Sequence, residues 1–213
     1  MKSKQPSSWL DEFKPLLKKY GAQKHPLAYK NRYQLIVMVV LSARCSDKII
    51  NALAPALFQR YPSMKELAKA SPEDLFPYIK GVISFGQKSR WLTSLAKQVG
   101  TDENIPHTLE ELIKLPAIGR KSANVIMGES GDEMEGVIVD IHTLRVAPRI
   151  GIATGPKPEQ IEEQLMEKIP QNYWRQLGMS LTMLGREICR PTDPKCPECP
   201  VNKVCEYYKK QGR

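Results

Sequence analysis

The 213-residue chain has no apolar run long enough to cross a bilayer: the longest, Leu35 to Leu41, falls far short of the ~20 residues that a spanning helix requires. No signal-like hydrophobic region follows its first residues, and a cytoplasmic protein with no membrane partner is expected. Runs of alternating apolar and polar residues are missing, as are glycine-rich hairpin turns, which leaves little from which to build a sheet. There is no heptad seam, so a monomer is expected. With no internal repeat or low-complexity linker, any domain boundary has to come from packing. A disulfide framework is excluded, because no even set of cysteines is spread along the chain. Acids are in deficit: 23 Asp and Glu face 32 Lys and Arg, for a net charge of +9. A basic surface of that size attracts polyanions by neutralising phosphates and releasing counterions. Nucleic acid is therefore the leading partner, although the same excess also favours solubility.

What is present is an ordinary globular composition, 41% hydrophobic and 26% charged, enough to bury one sizeable core or two modest ones. Helical periodicity alternates with short breakers, and the predicted fold class is all-α. Tyr33 to Ala43 is apolar on almost every side, as suits a helix at the centre of a bundle. Ser46 caps a segment running to Pro55, where either a new helix begins or the helix kinks. Ser71-Pro72-Glu73-Asp74 and Thr108-Leu109-Glu110-Glu111 are helix starts, the second a capping box. Further helices are expected at 88–99, 120–130, 141–150, 158–168 and 172–188.

Leu115-Pro116-Ala117-Ile118-Gly119 is a tight turn between two short helices. Amides at the start of the second helix lack intrahelical partners and carry its positive dipole end, so the turn is suited to gripping a phosphate; the plainer reading is a simple connection. Arg120 and Lys121 follow in the first helical turn, where the dipole disfavours cations. Local preference violated in this way is more expected at a functional site, although the plainer reading of a lone helical lysine is that it is simply solvated. The dipole supplies only ~0.3–1 kcal/mol, so desolvation against a substrate has to add to it before Lys121 becomes a neutral nucleophile. Asp140 interrupts the apolar stretch Val137 to Val146 and is either a helix cap or a carboxylate that stabilises positive charge on a reacting sugar; His142 is read as a core residue. Four of the five cysteines, Cys189, Cys196, Cys199 and Cys205, crowd into the last 25 residues as a metal or cluster site, and the spacing alone leaves zinc and iron-sulfur open. Cys45 stands outside that set as a small buried or half-buried thiol.

Three of these segments together, Leu115 to Asn124, Val139-Asp140-Ile141-His142 and Cys189-x6-Cys196-x2-Cys199-x5-Cys205, resemble the endonuclease III family in order and close to its spacings. The similarity extends from about Tyr29 to the C-terminus and includes Leu41-Ser42-Ala43 with Asp47. The resemblance implies an all-helical, two-lobed helix-hairpin-helix DNA glycosylase fold with a C-terminal [4Fe-4S] loop. One lobe is a six-helix domain of residues 25–134 containing the helix-hairpin-helix at about 108–130; the other joins residues 1–24 to 135–213 and carries the cluster loop at 189–205. It further implies double-stranded DNA with a damaged base or abasic site as partner, held between the lobes; a cytoplasmic enzyme of this kind would associate with the nucleoid. Lys121 is the implied amine nucleophile and Asp140 its carboxylate; Cys189, Cys196, Cys199 and Cys205 are the implied cluster ligands. The implied DNA contacts are Arg44, Ile83, Ser84, Phe85, Leu115, Ala117, Gly119, Arg120, Arg190 and Lys195.

The chain departs from the family at several of these points. Ala117 replaces the usual hairpin glycine, which would cost on the order of 1 kcal/mol if the backbone there has a positive φ. Arg44 replaces a typical glutamine and brings a different donor pattern. Ser84 stands where an apolar wedge is usual, leaving Ile83 or Phe85 to substitute. One extra residue separates Lys121 from Asp140, expected in the Gly128–Gly136 connection. The leading expectation is a base-excision glycosylase that removes an oxidised pyrimidine and cleaves the abasic site by β-elimination. The alternatives are a related glycosylase for alkylated or mismatched bases with weak lyase activity, and a non-catalytic DNA-binding protein.

Overall fold

The structure, a computed structural model, describes residues 6–211. All regular structure among them is helical: α1 (Pro6–Tyr20), α2 (Arg32–Ser42), α3 (Asp47–Arg60), α4 (Met64–Ala68), α5 (Phe76–Ile79), α6 (Phe85–Val99), α7 (Leu109–Leu112), α8 (Arg120–Ser130), α9 (Thr143–Ile150), α10 (Pro158–Lys168), α11 (Trp174–Glu187) and α12 (Glu206–Lys209), with short 3-10 turns between some of them. The all-α expectation holds. No helix among the described residues is long and apolar enough to cross a membrane. The chain divides into two compact units, residues 25–133 and residues 1–24 with 134–213.

In the first unit α2 is the centre. Asn31 starts it by accepting the Gln34 amide at 2.9 Å, and Leu35 to Leu41 are each no more than 7% exposed. Burying side chains of this size stabilises by roughly 1.5–3 kcal/mol each, and α3, α6 and α8 supply the cover. Ser46 caps α3 through the Ile49 amide, but no new helix begins at Pro55; a single helix runs through it. The reason is burial on either side of the proline: Ile50, Ala54 and Leu57 are 0–5% exposed, and their packing outweighs the one lost backbone bond. Ser71 and Asp74 cap each other reciprocally, the Ser71 amide donating to the Asp74 carboxylate at 2.8 Å and the Asp74 amide to Ser71 Oγ at 3.3 Å. What they start is a 3-10 turn, Glu73–Leu75, that leads into the short α5.

In the second unit α11 carries the buried stripe Leu177, Leu181 and Leu184, with α1 and α9 packed against it. Gly185 lets α9 come close: a β-carbon there would lie 2.7 Å from His142 Cβ and 3.1 Å from a Val146 methyl. Gly151, at φ +94, ends α9 in the left-handed conformation that favours glycine.

One polar junction in the first unit is half-buried. Asp132, just after α8, binds Arg32 Nη1 at 2.5 Å through Oδ2 and His107 Nδ1 at 2.8 Å through Oδ1, and Arg32 also donates to the Pro106 carbonyl. The Arg32 and Asp132 side chains are only 14% and 16% exposed. Removing one partner strands the other away from water. Asp132→Ala is expected to lower unfolding stability by about 2–3 kcal/mol in urea titration; a change under about 0.5 kcal/mol would show the junction to be solvated.

Candidate active site

The segment 108–130 forms a helix-turn-helix hairpin. Thr108 caps α7 by accepting the Glu111 amide at 3.4 Å, and its hydroxyl donates to the Glu111 carboxylate at 3.0 Å. Leu115 to Ile118 then close a turn, with the Ile118 amide on the Leu115 carbonyl at 3.2 Å. Proline in the second position and a positive φ in the third are the pattern of a type II turn, which favours glycine in that third position. Here it is Ala117, at φ +63. Gly119 precedes α8 with φ −94, which any residue adopts, and a β-carbon there would meet nothing within 4 Å. Neither backbone conformation nor packing demands glycine at 119; its absent side chain leaves the amides that follow open to approach. Arg120 and Lys121 are exposed on the first turn of α8, and Lys121 makes no ion pair or hydrogen bond among the described residues.

Also in the first unit, Arg44 follows α2 and Ser84 begins α6, at φ +60 and +57. Both are exposed, as is Ile83 at 55%. Phe85 is not open in the same way: its ring packs edge-on against Phe76, centroids 5.1 Å apart. Beneath these turns lies a residue that periodicity passed over. Lys88, 3% exposed, donates to the carbonyls of Leu41 at 2.8 Å and Ala43 at 2.5 Å and approaches Cys45 Sγ at 3.8 Å. Burial pulls its pKa down, and the Cys45 thiol opposes that shift. Its position on the buried stripe with Leu92 and Leu95 is the sequence signal that marks it.

In the second unit Asp140 Oδ1 accepts two amides, those of His142 at 2.9 Å and Thr143 at 2.8 Å, so it caps α9. Both bonds fall on one oxygen. His142 lies against α11; its Nδ1 is 3.2 Å from Arg145 Nη2, and burial pushes its pKa down. Ile141 between them is 75% exposed.

Cys189, Cys196, Cys199 and Cys205 all line one small cavity of about 20 Å³, together with Ile150, Leu184 and Ile188. None of them is in a disulfide. Among the described residues no three His, Cys, Asp or Glu ligands are close enough to share one metal ion. Burial pushes the Cys199 thiol up to about 11, with the other three cysteines adding to the shift, and Cys205 moves the same way. Two arginines of α9, missed in the sequence although they stand four residues apart on one helix face, hold this loop. Arg145 donates to the Cys189 carbonyl at 3.1 Å and the Gly185 carbonyl at 2.9 Å. Arg149 donates to the Arg190 carbonyl at 2.7 Å and the Pro191 carbonyl at 3.1 Å and stacks over Tyr207 at 4.7 Å. Arg190 itself bonds Asp193, whose carboxylate is 3.2 Å away, and Lys195 lies 3.9 Å from Glu198.

A tight turn between two helices followed by an exposed lysine, an aspartate that caps a helix and four cysteines on one cavity, all in a helical frame, are the features to be matched. Residues 37–171 match the family model of the HhH-GPD superfamily of base excision DNA repair proteins. Endonuclease III of Rickettsia felis is 35% identical over 198 residues, 92% of each chain, and that of Thermotoga maritima 34% identical over 183 residues, 85% of each. A solved endonuclease III trapped as a covalent intermediate with DNA superposes with a TM-score of 0.88 at 28% identity, covering 99% of this chain and 100% of its own. The chain belongs to the endonuclease III family, whose members are base-excision DNA glycosylases and abasic-site lyases.

The left-handed conformation of Ala117 has a measurable consequence. An L-residue there is disfavoured by roughly 1–2 kcal/mol, against ~0.5–1 kcal/mol of extra chain entropy lost by glycine. Ala117→Gly is therefore expected to raise unfolding stability by about 0.5–1 kcal/mol. Equal or lower stability in chemical denaturation would show that the turn is not strained.

Proposed function

We propose that the protein is a bifunctional glycosylase and lyase acting on double-stranded DNA that carries a damaged base, an oxidised pyrimidine by preference. Lys121 is its nucleophile and Asp140 its partner carboxylate. The observation that supports this most is an exposed lysine with no competing anion among the described residues, one turn after a phosphate-gripping hairpin, in a chain of the endonuclease III family.

The chemistry follows from the groups. The target base is first flipped out of the stack, at a cost of a few kcal/mol that is least for a damaged pair. The hairpin amides after Gly119, with Leu115, Ala117 and Arg120 around them, hold a backbone phosphate, and Arg44 and the 83–85 loop meet the opened stack. The neutral Lys121 amine attacks C1′; the N–C1′ bond forms as the glycosidic bond breaks, and the base leaves with that electron pair. Asp140 offers its second oxygen to the positive charge that develops on the sugar while its first stays committed to the helix cap. Loss of the amine proton and opening of the sugar ring yield a Schiff base. Removal of a proton from C2′ then expels the 3′ phosphate. Such an enzyme would act on chromosomal DNA in the cytoplasm, as a monomer.

The cysteine nest fits a [4Fe-4S] cluster held by Cys189, Cys196, Cys199 and Cys205. All four sulfurs line one cavity, none is in a disulfide, and among the described residues no three ligands are grouped for a single ion, which favours a cluster over a lone zinc. Bound there, the cluster would pin the loop that carries Arg190 and Lys195. Their pairs with the exposed Asp193 and Glu198 are weak enough to exchange for a phosphate.

Three experiments test these assignments. Borohydride reduction with duplex containing an abasic site or an oxidised pyrimidine should trap a covalent adduct with wild type and none with Lys121→Ala; an adduct in the variant sinks the nucleophile assignment. Asp140→Asn keeps an equally good cap, so the fold should survive while base release slows at least a hundredfold. Elemental analysis of purified protein should find four iron and four sulfide per chain, and Cys199→Ser should lose them with the stability of the second unit; a zinc-only result would overturn the cluster.

A further inference from the structure

The turn after α2 and the loop before α6 are separate in sequence but meet at one buried point. Lys88 Nζ donates to the Leu41 carbonyl in the last turn of α2 and to the Ala43 carbonyl just past its end, and lies 3.8 Å from Cys45 Sγ. The same sulfur accepts the Ile83 amide at 3.1 Å. The Lys88 backbone amide in turn bonds the Ser84 carbonyl at 3.0 Å. One lysine and one thiol thus tie the turn bearing Arg44 to the loop bearing Ile83 and Ser84, and both segments contain a residue held at positive φ. A Met or Leu would fill the Lys88 slot with no charge to desolvate, so the ammonium is present for what it binds. Arg44, whose charge disfavours that of Lys88, is itself exposed.

We propose that Lys88 and Cys45 are positioning residues that join the two turns into a single rigid probe, so that Arg44 and the 83–85 loop engage a duplex together. The proposal rests on the glycosylase and lyase reading above. It concerns a step that only duplex requires, since a nucleotide in single-stranded DNA has no stack to leave. Preorganising two contacts removes the cost of ordering each on arrival.

The test compares Lys88→Met, Cys45→Ala and Cys45→Ser with wild type on an abasic site placed in duplex and in single-stranded DNA, with 2-aminopurine opposite the site to report extrusion. Lys88→Met and Cys45→Ala should lower kcat on duplex at least tenfold with KM within twofold, slow the fluorescence rise equally, and lower single-strand cleavage less than twofold. Cys45→Ser, which keeps an acceptor for the Ile83 amide, should recover duplex kcat to within threefold of wild type. Equal losses on both DNAs, no loss on duplex, or a serine variant no better than alanine would each overturn the proposal. Should Lys88→Met fail to fold, the two Cys45 variants decide alone. A wild type inactive on both DNAs defeats the enzymatic reading itself, whereas an active wild type with indifferent variants defeats only the positioning role.

Discussion

In both units a loop begins where a buried helix runs out of backbone partners, and a cation from a different helix takes up the carbonyls. The last carbonyls of a helix are unsatisfied and form the negative end of its dipole. In the first unit Lys88 meets those of α2, directly before the turn of Arg44. In the second, Arg145 and Arg149 meet the carbonyls from Gly185 to Pro191, directly before and within the cysteine loop. Away from bulk water these charge-assisted bonds are stronger than surface ion pairs, and losing one leaves both a cation and a carbonyl stranded. The loops are therefore held by helix termini rather than by their own short runs of structure.

Strain is distributed in a consistent way around these anchored loops. The described non-glycine residues at positive φ are Arg44, Ser84, Ala117 and Asp193. Three are positions that the resemblance assigns to DNA, and the fourth is the partner of Arg190, another such position. A left-handed L-residue persists only where the surroundings over-determine it. Here the surroundings are the Lys88 node, the hydrogen-bonded turn at Leu115–Ile118 and the arginine-braced loop.

Those anchors also mark what sequence could and could not reveal. Capping signals at Ser46, Ser71 and Thr108 are local, and each does accept an amide three residues on. The uniformly apolar α2 announces a central helix for the same reason, since no face of it tolerates water. At Pro55 the helix continues rather than starting anew, because the local penalty is opposed by burial contributed by distant helices. Periodicity places Lys88, Arg145 and Arg149 on their helix faces, but their partners were illegible because it does not say which carbonyls end opposite them. The strain at Ala117 was foreseeable only conditionally: glycine substitution in a turn has no cost until φ is known.

The same packing narrows how the 83–85 loop can act on the proposed reading. Ser84 is too small and polar to fill a vacated base site, and its left-handed backbone is fixed by the bonds that its carbonyl accepts from Gln87 and Lys88. Phe85 has spent its ring on Phe76. Ile83 is left as the exposed apolar side chain of the loop, with its amide pinned on Cys45. An aliphatic wedge one residue earlier than usual would displace the point of insertion relative to Arg44, whose guanidinium presents only donors. Discrimination of the orphaned base would then depend on its acceptors, so that the base opposite the lesion, and not the lesion alone, becomes a determinant of substrate choice.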